Sequence, residues 1–163
     1  MTDPAIENLV ERAVELAQRQ CLDDAAALLD EVLAAQPEHL RALDVLGFVR
    51  YFQQRYADGE ALCRRALAVK PDHPYAHKGL GLHLAKLGRL DDGVAMLERA
   101  IELAPNWSDP YWDLAVTLVE AGQHATARAV LDRGKAAIPA ERPRFAAFQR
   151  QIDATERAAK RGQ

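Results

Sequence analysis

The side chains best able to do chemistry in this chain are five histidines, two cysteines and several paired acids, and their spacing decides what they can do. His73, His77 and His83 form a local histidine cluster. Imidazoles one helical turn apart can share a metal ion, but no third ligand stands at helical spacing from these, so packing or capping histidines are expected and no metal site. Cys21 and Cys63 have neither metal-ligand nor redox spacing, which fits reduced thiols in a cytoplasmic protein. Asp23-Asp24 and Asp91-Asp92 fall where helices are expected to start, and there they suit the positive end of the helix dipole. Gly79-Leu80-Gly81 matches a dinucleotide loop only in part, because the third glycine is missing and the segment reads as mid-helix. There is no phosphate loop, nucleophile elbow or His-Glu-x-x-His pair. The expectation is a chain that is not an enzyme and holds no cofactor.

The function must then lie in a surface, and composition narrows which kind. The 163 residues carry a net charge of -3, with 21 basic and 24 acidic side chains. The tail beyond residue 140 holds 6 of the basic residues, Arg142, Arg144, Arg150, Arg157, Lys160 and Arg161, and 3 of the acidic ones. Interleaved with Glu141, Asp153 and Glu156, they read as a solvated helical face. Nucleic acid binding needs a concentrated basic face, which is missing. Neither a charged leader nor a long apolar run is visible, so no secretory signal and no membrane insertion are expected. Asn106-Trp107-Ser108 fits a glycosylation acceptor by accident. Richness in Ala, Leu, Glu and Arg favours helix almost throughout.

The elements that must position such a surface are set by four prolines, Pro37, Pro71, Pro105 and Pro139, which recur every 34 residues. A fixed period of this length marks stacked helix-turn-helix units. Laying the units over one another gives a small-residue column, Ala13, Gly47, Gly81 and Ala115, and a second one, Ala25, Gly59, Gly93 and Ala127. Two helices can approach closely along such columns. Larger columns surround them: Leu29, Cys63, Leu97 and Leu131; Leu46, Leu80 and Leu114; Leu22, Tyr56, Leu90 and His124; Leu33, Leu67 and Ile101. Arg12 interrupts the second of these, which predicts fraying at that end. His77 shares a large-residue slot with Leu9, Leu43 and Tyr111. Turns are marked by Gln20, Gln54, Gly88 and Gly122. Each second helix should stop before its proline, and the next should restart near Pro74 and near Ser108 with Pro110. Phe145, Phe148 and Ile152 lie on one face of a final helix over 141–160.

This pattern resembles the tetratricopeptide repeat (TPR). The third unit carries it best, with Leu80-Gly81, Leu87-Gly88-Arg89-Leu90, Gly93, Leu97, Ala100 and Pro105. The second has Leu46-Gly47, Tyr56, Gly59, Ala66 and Pro71, and the fourth Tyr111, Leu114-Ala115, Gly122, Ala127, Leu131 and Pro139. The resemblance implies an all-α, right-handed superhelical solenoid in one domain over 1–163. Four repeats, about 4–37, 38–71, 72–105 and 106–139, would be closed by a capping helix over 141–160. Two specialised sites of the family are not matched. The carboxylate clamp for chaperone tails needs Lys and Asn where Val10, Val14, Val45 and Gly79 stand. The asparagine ladder of O-linked glycosyltransferase repeats is replaced by Val45, Gly79 and Asp113.

With those columns facing the core, helical spacing leaves one stripe of each first helix for the concave side. The stripes are Val10, Val14 and Ala17; Asp44, Phe48, Tyr51 and Phe52; Tyr75, Lys78, Leu82 and Lys86; Asp109, Trp112, Val116 and Val119. Apolar and aromatic side chains not needed for an internal core generally mark a contact site. A protein or peptide partner is expected here, an apolar segment or amphipathic helix lying on Phe48, Tyr51, Leu82, Trp112 and Val116, with Arg41, Lys78 and Lys86 orienting acidic groups. Alternatively, these side chains pack on one another or under the final helix. A self-associating scaffold, or the recognition arm of an enzyme, are the other readings.

Overall fold

A computed structural model describes residues 3–161, and among these the chain forms nine α-helices, one 3-10 turn and no strand. In chain order they are α1 Pro4–Gln18, α2 Leu22–Ala35, α3 Leu40–Phe52, α4 Tyr56–Val69, α5 Pro74–Lys86, α6 Leu90–Leu103, α7 Ser108–Glu120, α8 His124–Ala137 and α9 Arg142–Arg161. The 3-10 turn Pro139–Glu141 leads into α9. Sequential helices pack on one another throughout, as the 34-residue period requires of a solenoid.

The helix ends follow from local chemistry. Gln36, Lys70, Ala104 and Ile138, each just before a repeat-closing proline, leave the helical region, with φ between -129° and -141°. The proline ring forbids αR at the residue before it, so all four second helices end alike. Each first helix ends in a Schellman turn. Its left-handed residue is Gln20 (φ 63°), Gln54 (59°), Gly88 (81°) or Gly122 (75°). The N–H of the following residue returns to the helix, as in Arg55 N to Arg50 O at 2.8 Å and Arg89 N to Leu84 O at 2.9 Å. Starts are less uniform. Asp3 caps α1 by accepting from Ala5 N, and His39 Nδ1 accepts from Ala42 N. Pro74 opens α5, whereas Ser108 is the first helical residue of α7 and Trp107 holds the cap position with no side-chain bond.

The small columns are buried as the alignment requires. In the third repeat the paired glycines bring the backbones into contact: a Cβ on Gly81 would lie 2.8 Å from Gly93 O, and one on Gly93 would lie 2.7 Å from Gly81 O, whereas in the second repeat, glycine at both slots too, a Cβ on Gly47 would meet only Cys63 Sγ, at 3.6 Å. Repeats with alanine at both slots cannot close to that distance. Leu46, Leu80 and Leu114 are buried against the preceding repeat, whereas Arg12 of α1, the first helix described, points its equivalent slot to solvent. The His77 slot also has a shared role, because His77 Nε2 lies 2.9 Å from Pro71 O and Tyr111 Oη donates to Pro105 O at 3.1 Å.

Helix α9 covers the last repeat. Phe145 is fully buried beside Leu118 and Leu131, with Gly134 leaving room for its ring. Its acidic residues, still partly exposed, reach back to α8: Glu156 pairs with Arg128 at 2.8 Å and His124 at 3.1 Å, and Asp153 with Arg128 at 3.3 Å. No helix among the described residues is long and apolar enough to cross a membrane.

Candidate partner-binding groove

Helices α3, α5 and α7 lie side by side and enclose a cavity of about 180 Å³ open to solvent. Phe48, Tyr51 and Phe52 line it from α3, Tyr75, Lys78 and Leu82 from α5, and Val116 from α7. Seven of the nine side chains expected in the groove are therefore brought together. Phe48 and Phe52 are 43% and 47% exposed, unusual for phenylalanine, and their rings touch at 4.7 Å. Tyr51 lies deeper, in edge contact with Tyr56 and His83.

The other two sit elsewhere. Lys86 stands at the rim, bound to Glu120 at 2.7 Å, which lifts its pKa further. Trp112 stacks on Phe148 at 4.6 Å and under the Arg144 guanidinium at 4.5 Å, so α9 covers that end of the concave stripe. Val10 belongs to the core, with no exposed surface, because α1 packs there on α2 and α3. Val14 and Ala17 border a smaller cavity shared with Phe48 and Tyr75. Arg41 bonds Glu11 at 2.7 Å, away from the cavity.

Several lining residues gave little sequence signal. Gly79 opens the wall onto Cys63: a Cβ there would lie 2.9 Å from the sulfur. Burial pushes the Cys63 thiol up to about 12, which keeps it protonated and unreactive. His83 fills the hole left by Gly59 and donates from Nε2 to Gly47 O at 3.2 Å; burial lowers its pKa and leaves Nδ1 without a partner. Trp107, from the loop before α7, stacks on Tyr75 at 5.8 Å, and Lys78 Nζ lies 5.2 Å from its ring. Burial also lifts the Tyr75 hydroxyl to about 12.

Electrostatically the interior is acidic. Asp44, Asp113 and Glu120 line it against one ammonium, Lys78. Asp44 Oδ2 bonds His73 at 2.7 Å and Asp113 Oδ2 lies 3.1 Å from Lys78 Nζ, yet burial holds both carboxyls above the usual range. The three histidines of the local cluster thus bond three separate groups, Asp44, the Pro71 carbonyl and the Gly47 carbonyl. What remains is a concave, aromatic, water-accessible recess with polar groups inside, suited to holding a ligand.

Two tetratricopeptide repeat family models match the sequence, over residues 45–110 and 84–152, and together they span most of it. The chain belongs to the tetratricopeptide repeat family. No curated protein sequence matches it. Among solved structures, the thermophilic TPR protein TTC0263 of Thermus thermophilus superposes with a TM-score of 0.80 at 16% identity, covering 93% of this chain and 82% of that one. MamA from Desulfovibrio magneticus RS-1 gives 0.70 at 23% identity, over 81% of this chain and 75% of that one. At these identities the likeness is one of fold. A mutant O-GlcNAc transferase from Thermobaculum terrenum gives 0.74 at 26% identity, covering 83% of this chain but 27% of the enzyme. TPR units generally serve protein–protein interaction, and this chain's four share that architecture.

Proposed function

We propose that the chain is a non-enzymatic adaptor or assembly factor whose concave groove, between α3, α5 and α7, holds an apolar segment or amphipathic helix of a partner protein. The observation that carries this reading is the exposure of Phe48 and Phe52 beside an open apolar recess. Two adjacent phenylalanines that no neighbouring helix covers are a net cost to a free solenoid, and the cost is removed when a partner buries them. Leu82 and Val116 continue the apolar surface, and Tyr75, Lys78 and Lys86 border it. Trp112 would join only if α9 moved.

A photo-crosslinking amino acid placed at Phe48, at Phe52 and, as a control, at the exposed Arg99 on α6 tests this in lysate of the source cells. Protein adducts at positions 48 and 52 that are absent at 99 are expected. Equal adducts at all three, or none at 48 and 52, would remove the groove as the binding face. An adduct between two copies of the chain would favour the self-associating scaffold. The partial cover of a transferase keeps the recognition arm of an enzyme as a second reading, although Val45, Gly79 and Asp113 replace the asparagine ladder expected of such an arm.

A further inference from the structure

The groove's basic side chains were expected to orient acidic groups of a partner, but each is already engaged. Lys78 faces Asp113 and lies over the rings of Tyr75 and Trp107, at 5.4 and 5.2 Å. Lys86 is held by Glu120, and Arg41 by Glu11 and Glu7. The acids are engaged in turn, Asp113 and Glu120 by those same lysines and Asp44 by His73 at 2.7 Å. The Asp44 oxygen that receives no hydrogen bond is closed to solvent and out of a partner's reach. Charge in the groove is thus matched from within, and its unmatched surface is apolar. That surface has two hollows, because Phe48 and Tyr75 wall both the main cavity and the smaller one toward α1. Leu82 and Val116 line only the first; Val14, Ala17 and Val45 line only the second, where Gln18 is the polar neighbour.

We propose that the groove receives a partner segment with an uncharged contact face and two apolar anchor side chains, one in each hollow on either side of Phe48. A charged side chain laid there would give up its hydration and find the counter-charges taken, so the internal ion pairs select against it. An anchor in the main cavity alone would leave Phe48, 43% exposed, bare toward α1, and a second anchor beside Val14 covers it. Apolar anchors filling preformed hollows are where interfaces concentrate their binding energy. This inference rests on the groove being the partner-binding face.

The test is selection of random dodecapeptides displayed on phage against the whole chain, followed by binding of the enriched sequences as synthetic peptides. Each should contain two apolar residues whose separate replacement by alanine weakens binding to the wild-type chain about thirtyfold, a readout independent of how any variant folds. In double-mutant cycles one anchor should couple to Val14→Ala and the other to Val116→Ala, each by about threefold or more, with no cross-coupling. Affinity should change less than about twofold between 50 and 500 mM NaCl, since no new ion pair forms. Peptides lost on Phe48→Ala with Leu82→Ala would overturn this inference, and leave the groove reading standing, if they ignored Val14→Ala, coupled both anchors to Val116, or weakened about tenfold with salt. No enrichment, or peptides indifferent to Phe48→Ala with Leu82→Ala, would overturn both.

Discussion

Gln54 and Gly88 occupy the same turn position in successive repeats, both with left-handed backbone. A side chain there crowds the following carbonyl, whereas glycine has none to crowd. Gln54→Gly is therefore expected to stabilise the chain by about 0.5–1 kcal/mol, and Gly88→Ala to destabilise it by about 1 kcal/mol. Nothing lies within 4 Å of a Cβ on Gly88, so the second effect is backbone strain alone; urea midpoints at constant slope check both. His83 gives a pH dependence. Burial lowers its pKa from the usual 6.5, so the unfolded chain takes the proton more readily than the folded one. Its contribution is full above about pH 6.5 and is lost as the pH falls from there toward the folded pKa. Asp44 and Asp113 act in the opposite sense: with folded pKa values raised by burial, they gain stability as the pH falls through those values. The difference between wild type and His83→Gln, which keeps a donor for Gly47, isolates the histidine. That difference should shrink between about pH 7.5 and pH 5.5 in urea titrations; a pH-independent difference would refute the assignment.

At the scale of elements, the four proline stops were readable because a missing N–H and a ring clash act on the nearest residues whatever surrounds them. The role of α9 was half readable. The spacing of Phe145, Phe148 and Ile152 gave an apolar face, but its reach across α7 to Trp112 depends on the angle at which α9 leaves the 3-10 turn. Phe148→Ala should cost about 3–5 kcal/mol, as large-to-small changes of buried phenylalanine do. It should also uncover Trp112, shifting its emission to the red in a Trp107→Phe background while helicity by circular dichroism is retained. An unshifted spectrum would mean that α9 does not shield the indole.

Across the whole molecule the apolar interior divides. One cluster runs from Val10 to Ala76 and another from Leu97 to Ile152, and between them lies a small one of Cys63, Leu80 and Leu84. Stability of a solenoid is a sum of units and the contacts between neighbours, so the thinnest joint limits cooperativity. Leu80→Ala should remove about 2–5 kcal/mol and broaden the urea transition, lowering its apparent slope, because the halves then unfold less as one. A sharp transition displaced without change of slope would show that the joint is not limiting. The cavity lies over the same joint, with Cys63 in its lining, so an occupant bridging α3, α5 and α7 would tie the halves together.

The period of 34 residues, the helix pairs, the small columns and the face of each first helix that turns inward were all fixed by local spacing, since helical geometry projects side chains at set angles and every repeat obeys the same constraint. Which inward-facing side chains stay open was settled by packing between repeats. Val10 vanished into the core because its slot in α1 packs against α3, Trp112 was covered by α9, and Phe48 and Phe52 were left bare. The charge pairing of the groove was likewise tertiary: the sequence holds Asp44, Lys78, Lys86, Asp113 and Glu120 at visible intervals. Only the approach of neighbouring helices pairs Lys78 with Asp113 and Lys86 with Glu120, and leaves Asp44 Oδ1 without a donor.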